Sequence, residues 1–288
     1  MDVFNTLADL FHVRGVLLAL LVFVPLERIL ALHPGQKVFR RGWGNDVVYV
    51  FINGLLIKLG LGLLIVGTII MAEWAVPSSF RAAVAAQPLW LQIVEVVVLA
   101  DLGFYAVHRL FHAVPWLWSF HQIHHSIEEL DWLAAARVHP VDQILTKATS
   151  LMPVFALGFS DAAIVVFGFI YYWQSILLHS NVRINFGPLR WLVASPEFHH
   201  WHHCNDRGIR DKNFAAQLPF LDVLFGTLHM PKGQVPRSYG IDEPLPSTYV
   251  SQLLHPFRAI RMARRRLEQP GSALGLGTTQ RADHHQGS

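Results

Sequence analysis

Cysteine is almost absent: Cys204 is the only one in 288 residues. No intramolecular disulfide can form, and no thiolate cluster can hold an iron–sulfur centre or a structural zinc, so any metal must find other ligands. Charge is scarce too, at 15% of residues against 52% hydrophobic, with a mean hydropathy of +0.35. That balance excludes an ordinary soluble domain and points to a membrane protein. The first residues carry no basic n-region and no small-residue cleavage site, so no signal peptide is expected. No internal repeat and no strand-associated GxGxxG stand in the chain, which argues against a built-in dinucleotide site.

Apolar runs are plentiful. A bilayer core needs about 20 mostly apolar residues, and four stretches approach that: 15–33, interrupted by Pro25 and Glu27; 47–72, the cleanest; 89–107; and 148–178. The last is long enough for one tilted helix or for a hairpin broken near Gly158 and Ser160. The expectation is an all-α, polytopic membrane protein of about four spans, forming a single membrane-embedded domain over 1–270 with a disordered tail over 271–288. Lys37, Arg40 and Arg41 follow the first stretch, only Arg81 lies between the second and third, and arginine is dense after 179. The positive-inside rule then places 34–46, 108–146 and the carboxy-terminal region in the cytoplasm, as a histidine-rich helical cap. A bacterial inner membrane is the expected location.

Histidine is the excess that needs explaining, at 17 residues. His12, His33 and His255 stand alone, and His284 and His285 lie in the tail. His33-Pro34-Gly35 is followed by Gln36, so it does not complete a haem-binding HPGG. The remainder is organised. His108 and His112 are four apart; His121, His124 and His125 form HxxHH; His199, His202 and His203 repeat HxxHH inside "FHHWHH". On a helix, positions i, i+3 and i+4 share a face, so each group aims two or three imidazoles at one point. Eight imidazoles exceed what one ion uses, which implies two metals. Imidazole suits zinc, copper, iron and nickel alike. A site at a membrane interface faces lipid, whose unactivated C–H bonds yield to oxygen activated at iron, so two non-haem Fe ions with O2 as co-substrate are expected. A di-zinc hydrolase and a non-catalytic metal transport or storage protein stand as rivals.

One carboxylate in an apolar run adds to this. Asp101, Tyr105, His108 and His112 recur at i, i+4, i+7 and i+11 on one helix face. A buried acid there is expensive, and Asp101 is expected to orient the site from behind the ligands, directly or through Tyr105. Glu129, Asp131, Asp206, Asp211 and Asn213 lie near the clusters in sequence and are further candidates for orienting imidazoles.

The motifs together resemble the fatty acid hydroxylase and sterol desaturase superfamily over about 90–230. "DLGFYAVHRLFHAVPWLWSFHQIHHS", "AARVHP", "HSNV", "SPEFHHWHH" and "DKNFAAQLPFLDVLFGT" are similar to its histidine code and flanking elements. The resemblance implies that His108, His112, His121, His124, His125, His199, His202 and His203 ligate metal, with His179 as a ninth. It also implies lipid hydroxylation or desaturation. Ser175, four residues before His179, departs from the HxxxH of one branch, and Leu221 stands where many members carry Trp. His139 in "RVHPVD" is held extended by Pro140 and is expected to cap or hydrogen-bond rather than ligate. No electron carrier is encoded here, so a ferredoxin or cytochrome b5-type donor with its reductase is the implied partner, besides membrane and lipid; no nucleic acid is expected. The basic segment 258–266 is expected to lie against anionic headgroups.

Overall fold

A computed structural model describes residues 13–268. His12, His284, His285 and the 271–288 tail lie outside the described residues. The described chain is helical and contains no β-strand, only two isolated bridges, Ala31 with Val182 and Cys204 with Tyr239. In chain order the helices are α1 (Val13–Ile29), α2 (Trp43–Val48), α3 (Gly54–Ala75), α4 (Ser78–Ala85), α5 (Leu89–Ala113), α6 (Pro115–His125), α7 (Pro140–Leu157), α8 (Asp161–His179), α9 (Pro196–His202), α10 (Phe220–Leu224) and α11 (Tyr249–Glu268). A π turn, Tyr49–Asn53, joins α2 to α3 without interruption.

Among the described residues, three helices are long and apolar enough to cross a membrane: Trp43–Ala75, Leu89–Ala113 and Asp161–His179. These three make a membrane protein the natural reading, although four spans were expected. The 15–33 stretch yields α1, described from Val13 to Ile29 with Pro25 inside, which is not among these three. The 148–178 stretch is two helices. Gly158 ends α7 at φ 84°, a left-handed conformation that glycine adopts without strain, and a Cβ there would meet Arg81 Cβ at 2.8 Å. Ser160 then starts α8, its hydroxyl accepting the Ala163 N–H.

The apolar layer packs through small side chains. Val96 and Ala100 of α5, Val154 of α7 and Ala163, Ile164 and Phe167 of α8 form one buried cluster. Gly103 lets α5 and α7 approach backbone to backbone, since a Cβ there would come within 2.4 Å of the Thr149 carbonyl oxygen. At the end of this layer a buried ionic network ties the 40–48 segment to the 3₁₀ turn Trp132–Ala136. Arg40 donates to Asp46 and Asp131, each at 2.7 Å, and Arg137 also donates to Asp46. Glu27, buried in α1, accepts the N–H groups of Trp132 (2.7 Å) and Asn181 (3.0 Å). These contacts anchor a polar layer in which α6, α9 and the ends of α5 and α8 meet.

Candidate metal centre

Local sequence places each ligand-type side chain. His108 and His112 occupy the last turns of α5, which ends where Val114 becomes extended ahead of Pro115. Pro115 starts α6, which brings in His121, His124 and His125. His179 is the last residue of α8. Ser195 caps α9 by accepting the Phe198 N–H, with Pro196 at its first position, and α9 ends on His199, His200 and His202.

Nine histidines converge in two adjoining groups: His108, His112, His121, His125 and His202 in one, and His124, His179, His199 and His203 in the other. Within each group the ligand atoms lie within 4.8 Å of one another. The HxxHH motif was expected to aim at one point; each copy is instead divided. At 3.6 residues per turn, i and i+4 are about 40° apart around a helix, whereas i+3 and i+4 are about 100° apart. His121 and His125 therefore share the five-membered group while His124 turns to the other, and His199 and His203 share the four-membered group while His202 crosses back. Both helices serve both groups. The groups touch, with ring centroids of His125 and His203 4.6 Å apart and those of His202 and His203 5.3 Å apart.

The ring nitrogens fit a cation and little else. His108 Nδ1 faces the Phe214 carbonyl (2.7 Å), His124 Nδ1 that of Arg137 (3.1 Å), His179 Nδ1 that of Ser175 (2.7 Å) and His202 Nδ1 that of Lys212 (2.8 Å). A carbonyl only accepts, so each of these nitrogens carries the hydrogen and leaves Nε2 as a bare lone pair. Yet Nε2 of His179 stands 3.1 Å from Nε2 of His124, and Nε2 of His121 lies 3.0 Å from that of His108 and 3.1 Å from that of His125. Lone pairs so close repel unless a positive ion lies between them. Ligands at right angles on an ion about 2.1 Å away stand about 3.0 Å apart, whereas tetrahedral ones stand about 3.4 Å apart. Nε2 of His112 and of His202 are buried with no hydrogen-bond partner. Burial, then the mutual repulsion of any positive charges, holds His121, His125, His199, His202 and His203 well below the usual 6.5; for His124 burial and His179 act together. All six are neutral, the form that binds metal.

A single loop supplies much of the support behind the rings. Asp211 Oδ1 accepts from His112 Nδ1 at 2.9 Å, which holds its carboxyl below the usual carboxylate range. Lys212 and Phe214 lend the carbonyls just named. Asn213, at φ 58°, donates to the carbonyls of Phe198 and His229 and accepts the His229 N–H. Two buried carboxylates clamp the loop: Asp222 accepts the N–H groups of Phe214 and Ala215, and Asp101 those of Ala216 (2.7 Å), Gln217 (3.1 Å) and Leu218 (2.7 Å). Tyr105 shares a hydrogen bond with Thr227, which donates to Asp222. Asp101 and Tyr105 thus reach the histidines through the loop, with no hydrogen bond between the two or to a histidine among the described residues.

Sequence reasoning missed Asp142, which is fully buried in α7 and accepts from His121 Nδ1 at 2.8 Å. The rule that singled out Asp101, a carboxylate in an apolar run, does not reach it, because Asp142 sits in the first turn of α7, where an acidic side chain is ordinary. Of the other candidates, Asp131 joins the Arg40 network, and Glu129 and Asp206 bond none of the nine rings. His139 caps α7, accepting the Val141 N–H at Nδ1 and donating from Nε2 to the Leu253 carbonyl, and stands outside both groups. His200 is spent on Tyr239 and the Ser180 carbonyl, His33 on Tyr239, and His255 on Gln122. A chamber lined by His108, His121, His124, His179 and His199 opens beside Phe104 and Leu178. On the other side His112, His125 and His202 border a cavity with Trp118, Arg210 and Asp242.

The fatty acid hydroxylase family matches residues 93–227, the segment that contains all nine histidines and the supporting loop. The ornithine lipid hydroxylase OlsE of Rhizobium tropici is 31% identical over 170 residues, 59% of this chain and 51% of its own length. Human alkylglycerol monooxygenase is 34% identical over 149 residues, 50% of this chain and 32% of its own. A very-long-chain aldehyde decarbonylase of Oryza sativa is 28% identical over 153 residues, 49% of this chain and 24% of its own. The match thus spans about half of the first of these relatives and less of the others. No solved structure shows significant similarity to the chain. Motif spacing, clustered imidazoles, apolar helices and these relatives agree: residues 93–227 form a domain of the fatty acid hydroxylase superfamily.

Proposed function

We propose that the chain is a membrane-bound non-haem di-iron oxygenase that hydroxylates or desaturates a lipid, with His108, His112, His121, His125 and His202 holding one iron and His124, His179, His199 and His203 the other. The observation that carries this reading is the convergence of bare imidazole lone pairs in two touching groups at the ends of apolar helices. Five imidazoles around one point exceed the four ligands of an ordinary zinc site, which favours iron over the di-zinc alternative. Relatives named as hydroxylase and monooxygenase support the reaction type.

Bound iron would activate O2 for attack on an unactivated C–H bond, with two electrons arriving from a ferredoxin or cytochrome b5-type donor through its reductase. For hydroxylation the balance is one C–H, one O2, two electrons and two protons giving an alcohol and water. The protein's own part is positional. Asp142, Asp211 and the four carbonyls fix the hydrogen on Nδ1 in six of the nine rings, His108, His112, His121, His124, His179 and His202, and so keep their Nε2 free for metal. Phe104 and Leu178 line the chamber with hydrocarbon, which excludes bulk water from the reacting carbon. Phe104 of α5 and Tyr171 and Leu178 of α8, both helices apolar enough to cross a membrane, line the chamber and would give a lipid an apolar route to it. The Lys and Arg residues of 34–46 and of the region after 179 support a cytoplasmic side for the histidine-rich layer, with the basic face of α11 against anionic headgroups.

Metal analysis with O2 uptake and lipid mass spectrometry tests this. About two irons per chain, reductant-dependent O2 uptake and a lipid heavier by one oxygen or lighter by two hydrogens are expected. Two zincs with ester or phosphate hydrolysis, or reversible metal uptake without turnover, would overturn it.

A further inference from the structure

Two short segments beside the histidine layer are apolar without being spans. Residues 187–194 carry one charge, Arg190, and residues 214–228 carry one, Asp222. Neither faces solvent freely: Asp222 is fully buried, and Arg190, its side chain 12% exposed, donates to the Met230 carbonyl and lies over the Trp191 ring. The groups that do face outward are hydrocarbon. Leu189, Trp191 and Leu192 on the first segment and Val223, Leu224 and Phe225 on the second are all exposed, and four of these six line one open groove. An exposed apolar patch of this kind marks a contact surface. Its depth is fixed by two helices. The Gln217 N–H donates to Asp101 (3.1 Å) and the Gln217 side chain to that of Gln174 (3.1 Å), while the Ala194 N–H donates to the Gln217 carbonyl (2.8 Å) and the Ala194 carbonyl accepts from Gln174 (3.2 Å). Asp101 is the middle residue of α5, seven before His108, and Gln174 precedes His179 by five on α8. At 1.5 Å per residue the two segments meet about 7–10 Å back from the histidines, within the apolar lengths of two candidate spans. Irregular backbone at that depth is tolerated only where the protein satisfies it. Asp101 and Asp222 do so, together accepting five successive N–H groups, those of residues 214–218.

We infer that residues 214–228 and the turn Gly187–Trp191 form a re-entrant element seated in the half of the bilayer nearest the histidines, with Leu189, Leu192, Val223, Leu224 and Phe225 against lipid acyl chains. The partner is membrane hydrocarbon because the patch continues, at one depth, a surface that already faces lipid: Leu102 of α5, next to Asp101, is exposed on a candidate span. Ala216 and Gln217 also line the histidine chamber, so the element is a wall between that chamber and the acyl chains. Asp101 thereby makes a non-helical segment tolerable inside hydrocarbon, which accounts for a carboxylate in mid-span. The inference needs neither metal nor turnover.

The test uses single-cysteine variants of the full chain, carrying a nitroxide spin label, in phosphatidylcholine vesicles. Cys204→Ser supplies the background; where it does not fold, Cys204 is kept, being buried, and the signal of the labelled wild type is subtracted. Val223→Cys and Leu224→Cys are compared with Arg207→Cys, an aqueous reference whose native side chain is 83% exposed, by collision of the label with O2 and with a water-soluble nickel chelate. Hydrocarbon admits O2 and excludes the polar chelate, so the ratio of O2 to chelate collisions should be at least about 10-fold higher at the Val223 and Leu224 positions than at Arg207. Equal ratios place the patch in water and overturn the inference. Low collision with both reagents also overturns it, and gives a second copy of the chain as the cover. The oxygenase reading stands or falls separately, on metal content and O2 uptake.

Discussion

The two histidine groups draw on the same helices yet differ in what stands behind their rings. Two rings of the five-membered group donate to carboxylates, His121 to Asp142 and His112 to Asp211, and two donate to carbonyls. In the four-membered group His124 and His179 donate to carbonyls, while Nδ1 of His199 and of His203 is buried without a partner. An imidazole that donates to a carboxylate is the more basic ligand, and the carboxylate offsets part of the ion's charge. The five-membered group is thus the electron-rich half, and through His112, His125 and His202 it alone borders the outer cavity. A pair of sites with one sequence grammar can therefore be chemically unequal, because the inequality resides in residues outside the grammar.

The largest effects should follow from breaking the division itself. His202→Ala and His203→Ala change neighbouring residues but should empty different sites, each lowering bound metal from about two ions to about one and turnover to background. The combination His108→Ala with His202→Ala should keep about one ion, because both rings belong to one group. Combining His202→Ala with His203→Ala should leave none. Metal per chain at matched protein yield reads the result, and loss of both ions in the first combination refutes the division.

Next in size is the carboxylate behind the electron-rich half. Asp142→Asn should lower turnover by about 10- to 100-fold. Asp211→Asn should do less, since the Asp211 side chain is 65% exposed and its charge is screened by solvent. Steady-state O2 uptake ranks the two, and a larger loss at Asp211 would reverse the assignment.

Asp101→Asn should act on the loop rather than on an ion. One amide oxygen cannot accept three N–H groups as a carboxylate does, so at least one buried donor is stranded, at about 1–3 kcal/mol. Metal content should be kept and turnover should fall by about 10-fold. Loss of iron in this variant would show that the clamp holds the ligands themselves.

Acid should affect the metal-free protein. The cap histidines have folded pKa values lowered by burial, whereas in the unfolded chain they titrate near the usual 6.5. The unfolded state therefore takes up more protons as pH falls, so their contribution is intact above about 6.5 and is lost progressively below it. The melting temperature of metal-stripped protein should drop between about pH 7.5 and 5.5. The smallest effect is expected at His139, where burial also lowers the pKa, to about 4. His139→Gln should leave bound metal unchanged, and depletion there would bring His139 into the site.

Much of this was legible because it is periodic or chemically costly. The spacing of His108 with His112 and the two HxxHH motifs announced imidazoles on shared faces, and Asp101 stood out as a carboxylate in an apolar run. Gly158 and Ser160 marked the break between α7 and α8, since a left-handed residue and an N-cap have recognisable chemistry. The parting of His124 from His125 was implicit in the 100° step between neighbours, but only a second helix on each side makes it matter. Asp142 escaped because its partner lies 21 residues away in sequence, and the carbonyls of Arg137, Ser175, Lys212 and Phe214 carry no side-chain signature at all.

The amino-acid sequence by itself determined the family resemblance, the apolar helices and the eight clustered imidazoles, because residue type and period are local properties. Tertiary structure alone decided which imidazoles belong together, which carboxylate stands behind which ring, and that residues 216–218 lie against the middle of α5. Those are matters of which helix packs against which, and packing is set by the side chains of the whole core acting together. A histidine's neighbours along the chain prescribe its face on the helix; its neighbours in space prescribe its hydrogen, its charge and the group it joins.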